Sequence, residues 1–171
     1  MTSKNNARQC FVYITLPGKI EAVTAAKYEL SLTPNGPVGR FVYGKNYLAR
    51  PDAVEIDPIE LTLGAKVQPT TKFNGLYGAL RDASPDHWGR LIIERALRKA
   101  NLDEMDYLIH SSDARVGALA FGFRNVPPGP DRQFNTVLDL EELQATALAI
   151  LEDKEETADA KAEQARRLLL V

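Results

Sequence analysis

The amino-acid sequence predicts an α+β fold: a small, mostly antiparallel sheet or partial barrel packed with helices, followed by a C-terminal helical pair. Three observations predict it. Short β-branched and aromatic runs separated by turn and loop residues recur through the first 63 positions. Amphipathic helical segments follow between residues 76 and 111, and a further β-like run comes after them. Strands, then helices, then a returning strand is the order expected of an α+β unit.

Each strand is predicted from a β-branched or aromatic run that ends at turn or loop residues. The predicted strands span residues 9–16, 20–32 (one strand or two), 40–43, 59–63 and 115–124. Pro17-Gly18 and residues 34–37 are predicted turns, because proline and glycine punctuate local structure. Residues 46–58 are a predicted loop, and residues 59–63 alternate with period two, as in a half-buried strand.

The helix predicted over residues 85–100 has the clearest start. Ser84 is the expected N-cap, because its hydroxyl accepts a bond from a first-turn N–H. Pro85 suits the first helical position, and Asp86 adds negative charge at the positive end of the helix dipole. The expected apolar face has helical spacing: Trp88, Leu91, Ile92 and Ala96.

Two shorter helices and a domain organisation complete the prediction. The shorter helices span residues 76–81 and 104–111, the second with Asp103 as its N-cap. The chain divides into a polar tail (1–8), a folded unit (9–125), a Pro/Gly linker (126–136) and a helical extension (137–171). Asp139 and Glu142 resemble a capping box that opens the extension.

Composition is that of an ordinary globular protein, with 44% hydrophobic and 26% charged residues among 171. A net charge of −2 does not favour direct binding of nucleic acid. The single cysteine, Cys10, excludes an internal disulfide and is expected to be buried. The polar N-terminus lacks a signal peptide, and no apolar run is long enough to cross a membrane. A cytoplasmic location without membrane association is expected.

The sequence offers no catalytic, cofactor or metal constellation. No glycine-rich loop precedes a lysine at phosphate-binding spacing, and His87 and His110 lie too far apart along the chain to suggest zinc. His87 is expected to face solvent in the first turn of its helix. Tyr43, Tyr47 and Tyr77 are expected to pack in the core rather than to stack on nucleic acid.

The candidate functional residues are expected to bind a partner. They surround the predicted helix start: Asp82, Ser84, Asp86, Trp88 and Arg90. Trp88 has two open interpretations. It either anchors the helix in the core or contacts a partner, because tryptophan dominates many interfaces.

Three ordered motifs resemble the HipA family, the serine/threonine kinase toxins of bacterial toxin–antitoxin systems. They are GRFVYGKNYLARPDA (39–53), GLYGALRDASPDHWGR (75–90) and DARVGALAF (113–121). The resemblance covers roughly residues 11–123 and concerns only the N-terminal subdomain of that family. It implies that the phosphate loop and kinase core would begin where this chain stops, so no catalytic residue is carried over.

Three functions remain open. In the first, the chain is a binding or regulatory module for a HipA-like kinase core, encoded in the same operon or in a parent chain. In the second, it is an inactive fragment of a full-length toxin kinase. In the third, it is an independent enzyme that uses Asp82, Asp86 and Asp113. The resemblance also implies a helix-turn-helix antitoxin as a possible further partner.

Overall fold

The computed structural model describes residues 7–99, 102–111 and 117–128, which form an open, five-stranded antiparallel sheet with a few helices. The strands are β1 (Ala7–Thr15), β2 (Ala22–Thr33), β3 (Gly36–Tyr43), β4 (Gln68–Thr70) and β5 (Leu119–Gly122). They lie in the order β4-β3-β2-β1-β5. The α+β class is confirmed with an open sheet instead of a partial barrel. The predicted C-terminal helical pair lies outside the described residues.

A tight hairpin joins β2 to β3. Pro34 and Asn35 form the turn, and Gly36 adopts a φ of +109°, which glycine tolerates without a steric penalty. The Thr33 hydroxyl donates a 2.7 Å hydrogen bond to the Gly36 carbonyl. The predicted turn is confirmed, and residues 20–32 supply one strand rather than two. Because ladder pairing continues up to the turn, β3 begins four residues earlier than predicted.

The segment between β3 and β4 differs from the prediction. Helix α1 (Lys45–Leu48) lies partly within the predicted loop, and β4 was not predicted at all. The predicted strand over residues 59–63 is wrong. The Asp57 carboxylate accepts hydrogen bonds from the backbone N–H groups of Ile59 and Glu60, which turns the chain. Leu61 is buried, but Ile59 and Leu63 are exposed, so the alternation does not mark a sheet face.

Three helices follow: α2 (Gly78–Asp82), α3 (His87–Leu97) and α4 (Glu104–His110). The last two lie within the predicted helical segments, and α2 begins two residues later and ends one residue later than predicted. The predicted apolar face of α3 is only partly correct. Ile92 is buried, but Ile93 and not Ala96 completes the buried surface. Ala96 lies in the last turn of α3, where the helix surface is exposed. Leu91 is partly buried.

The core lies between one face of the sheet and the helices. Its largest fully buried side chains are Tyr13, Tyr28, Tyr47, Phe41, Leu30, Leu61, Leu76, Leu80, Ile92, Ile93, Met105 and Leu108. Tyr43 stacks on Tyr47 with ring centroids 5.7 Å apart, and Phe41 meets Tyr77 edge-on at 5.9 Å. These tyrosines are core residues, as predicted, and Cys10 is buried as predicted.

Candidate functional site

The corner between α2 and α3 holds the predicted partner-binding residues. Its N-cap is Asp86, which has an extended backbone and whose carboxylate accepts a 2.9 Å hydrogen bond from the Gly89 N–H. The prediction of Ser84 as the cap is therefore wrong, and Pro85 precedes the helix rather than opening it. Aspartate caps as well as serine does, so the residue nearer the helix prevails. The Ser84 hydroxyl instead accepts a 3.3 Å hydrogen bond from Arg90.

Arg90 ties this corner to α4. Its guanidinium donates two hydrogen bonds to the Glu104 carboxylate, at 2.7 and 3.1 Å, and lies 4.3 Å from the Tyr107 ring centroid. The hydrogen bond to Glu104 is the main cause of the raised pKa of Arg90. Tyr107 in turn donates to Glu94 of α3. A bidentate arginine–carboxylate pair holds its two groups in one relative orientation and also adds binding energy. Arg90 and Ser84 thus have internal partners that hold α3 against α4.

The remaining candidates lie at the surface of the same corner. Asp82 ends α2 and is exposed, and Asp86 is exposed while it caps α3. Trp88, in the first turn of α3, is partly exposed and is not among the buried core residues. His87 is exposed beside it, as predicted. The structure therefore leaves a tryptophan and two carboxylates accessible at one corner.

A second ionic cluster fastens α4 to the sheet. Asp103 and Asp106 form the capping box of α4, which confirms Asp103 as the predicted N-cap. Arg8 of β1 reaches both carboxylates, at 2.8 Å and 2.7 Å. Burial acts to raise the pKa of Asp106, but the hydrogen bonds from Arg8 and from the Asp103 backbone outweigh it and lower that pKa. This cluster sets the position of α4, on which Arg90 depends.

A backbone feature that the sequence analysis missed lies before α2. Phe73, Asn74 and Gly75 have φ values of +44°, +58° and +92°, in the left-handed region. Gly75 packs directly against Gly39 of β3: a Cβ on Gly39 would lie 1.8 Å from the Gly75 carbonyl oxygen. The Tyr28 hydroxyl donates a 2.8 Å hydrogen bond to that same oxygen. The Asn74-Gly75 dipeptide is a turn signal that could have revealed this bend.

The turn presents an aromatic–guanidinium pair at the surface. The Phe73 ring is exposed, and the Arg81 guanidinium of α2 lies 4.5 Å from its centroid. We call this pair the Phe73–Arg81 platform. Cation–π contact keeps the two side chains together without using the in-plane N–H donors of the arginine.

The described residues expose two side-chain groupings at the surface, the α2–α3 corner and the Phe73–Arg81 platform. Within it, no three His, Cys, Asp or Glu side chains are grouped so as to hold a metal ion. Burial raises the pKa of Tyr43 and of Tyr77 to about 12, as befits core tyrosines whose hydroxyls donate to backbone carbonyls. Asp113, the third acid of the enzyme hypothesis, lies outside the described residues. None of the helices in residues 7–99, 102–111 and 117–128 has the length and apolarity needed to span a membrane.

Comparison with known protein families identifies a matching domain. The family model described as the HipA N-terminal domain matches residues 29–122, more than half of the chain. The matched range runs from β2 through β5 and includes both the α2–α3 corner and the Phe73–Arg81 platform. No curated protein matches the chain.

Proposed function

The chain belongs to the HipA N-terminal domain family, and we propose that it is a non-catalytic binding and regulatory module for a HipA-like kinase core of a type II toxin–antitoxin system. One observation carries the proposal. The family match covers the α2–α3 corner, where Ser84 and Arg90 are engaged internally while Trp88 stays partly exposed. A corner built in this way offers a surface for a partner rather than a reaction centre.

Phosphoryl transfer in this system is assigned to the kinase core. It needs a phosphate cradle, a lysine, metal-binding carboxylates and a base for the attacking hydroxyl. In this chain Asp86 is occupied as a helix cap, and Lys72 forms an ion pair with Glu60. The contribution of the chain is a preformed surface, since the ionic clusters of Arg8 and Arg90 hold α3 and α4 in place.

Trp88 is the residue we propose as the anchor on the kinase core. An aromatic side chain that becomes desolvated in a partner pocket can supply about 2 kcal/mol or more of binding energy. Asp82 and Asp86, on either side of the corner, would surround it with negative charge. We expect them to face cationic groups of the kinase core.

Co-elution of the purified chain with a HipA-like kinase core from the same operon tests the proposal. We expect a complex at micromolar concentration that Trp88→Ala weakens at least about 30-fold. His87→Ala, in the same exposed turn, is the matched control and should bind normally. Trp88→Ala should lower the free energy of unfolding by clearly less than the roughly 3–5 kcal/mol that truncation of a core tryptophan costs. Absence of a complex, or ATP turnover by the chain alone, would refute the proposal.

A further inference from the structure

We propose that the Phe73–Arg81 platform is a second docking surface, which binds an acidic, partly apolar segment of the kinase core; this inference rests on the proposed function. The arginine is the first reason. Arg81 is exposed and stacked on Phe73, and no carboxylate among the described residues forms an ion pair with it. A stacked guanidinium keeps its planar fork of N–H donors available for bidentate binding of a carboxylate.

The backbone of Phe73 is the second reason. A non-glycine residue in the left-handed region costs about 1–2 kcal/mol, and glycine would avoid that cost. Phe73 occupies this region at φ +44° and ψ +47°, although the residue is 46% exposed and is not part of the buried core. Strain of this kind is retained where the residue serves a function. The aromatic ring is therefore better explained by what it presents at the surface than by folding.

The third reason is that exposed apolar side chains lie in the segment that contacts the turn. Hydrogen bonds from Lys72 to Glu60 and from Gln68 to the Thr62 carbonyl bring residues 59–63 beside the turn. Large exposed apolar side chains occupy this region: Ile59 (88% exposed), Val67 (56%) and Leu63 (39%). An aromatic–arginine centre with apolar neighbours has the composition of an interface hot spot.

Charge determines the chemistry of the occupant. Two acids of the segment beside the turn have other partners: Glu60 accepts from Lys72 and from the Gly78 N–H, and Asp57 accepts from two backbone N–H groups. Asp82 follows Arg81 at the exposed end of α2 and forms no ion pair with it. Residues 1–128 contain 16 of the 21 Lys and Arg but 13 of the 23 Asp and Glu, a net charge of +3. A guanidinium with no carboxylate partner among the described residues, in a stretch of net positive charge, favours an acidic partner segment.

Binding of the full chain to the same kinase core, measured by calorimetry, tests this inference with three variants and one control. Arg81→Glu should weaken binding at least about 30-fold, the loss expected at a hot spot. Arg81→Lys should weaken it less, because charge remains but the planar fork is lost. Phe73→Gly should weaken binding while the thermal midpoint stays the same or rises. The control is Lys27→Glu, an equal charge reversal at an exposed position of β2, which should bind within about threefold of the wild type.

Each result has a distinct meaning. Equal binding by the wild type and the Arg81→Glu chain would overturn this inference and leave the proposed function standing. Absence of wild-type binding would refute the proposed function and this inference with it. Stronger binding by Arg81→Glu would indicate that an acidic segment of this chain, such as residues 152–156, occupies the platform, and would also overturn the inference. A steeper fall of wild-type affinity with salt than of Arg81→Glu affinity would support it.

Discussion

Gly39→Ala is the substitution for which the structure predicts the clearest loss of stability. The added methyl carbon would lie 1.8 Å from the Gly75 carbonyl oxygen, 2.9 Å from its carbonyl carbon and 3.0 Å from the Tyr28 ring. The closest atoms belong to the backbone, so no side-chain rotation relieves the clash. We expect β3 and the turn at residues 73–75 to separate.

Two costs set the size of the effect. Overpacking of a close contact costs about 1–3 kcal/mol. Separation also breaks the hydrogen bond from Tyr28 to the Gly75 carbonyl and leaves a buried hydroxyl unsatisfied, which costs about 1–3 kcal/mol more. Together these costs reach about 2–6 kcal/mol, a large part of the roughly 5–15 kcal/mol that stabilises a typical domain. The thermal midpoint should fall by roughly 5–20 °C.

Urea unfolding followed by circular dichroism measures this loss. Gly64→Ala is the matched control, because a Cβ there meets no atom within 4 Å. The control should change the unfolding free energy by less than about 0.5 kcal/mol. If Gly39→Ala and Gly64→Ala proved equally stable, the packing of Gly39 on Gly75 would be wrong. The backbone conformation of residues 73–75, which places Phe73 at the surface, would then be wrong as well.

Three further predictions concern the ionic and hydrogen-bonded groups around the site. Asp86→Ala should lower the unfolding free energy by about 1 kcal/mol, because it removes the α3 cap. Ser84→Ala, which removes only the acceptor for Arg90, should lower it by less. If denaturant titration gave the reverse order, the assigned cap would be wrong. The folded-state pKa of Asp106 lies below its unfolded value, so its contribution to stability is present above about pH 4 and is lost as the pH falls through the folded pKa. In Arg8→Gln, a carbon-13 titration should find the Asp106 pKa raised relative to the wild type; an unchanged pKa would exclude Arg8 as a cause. Tyr43→Phe removes one hydrogen bond donated to a backbone carbonyl and one accepted from a backbone N–H. Thermal unfolding should therefore show an unfolding free energy lower by about 1–3 kcal/mol. An unchanged unfolding free energy would exclude both bonds.

Local signals account for the parts of the fold that the sequence predicts well. Strands β1 to β3 follow from β-branched runs bounded by turn residues, and the start of α4 follows from Asp103 and its helix-forming successors. The class of the fold needs only the order of these elements. The strand wrongly predicted at residues 59–63 shows what an alternating pattern cannot establish. The same alternation occurs in a turn, where Leu61 is buried while Ile59 and Leu63 are exposed.

The site was harder to predict because its key contacts join residues far apart in sequence. Arg90, for example, donates hydrogen bonds both to Ser84 and to Glu104 of another helix, a contact across 14 positions that no local pattern predicts. The platform depends on the approach of Gly75 to Gly39, 36 positions earlier in the sequence. The Asn74-Gly75 dipeptide beside Phe73 indicates a turn, but it does not predict that the turn packs on β3. The sequence analysis named Trp88 as a candidate partner-binding residue. Its partial exposure, however, follows from how the helices pack, which the sequence alone does not show.

Calorimetric titration of the full chain into the HipA-like kinase core tests the central claim most directly. We predict saturable binding with a Kd of about 1 μM or below, equivalent to about 8 kcal/mol. The claim would be contradicted if both proteins were folded and no saturable heat appeared at concentrations about a hundredfold higher.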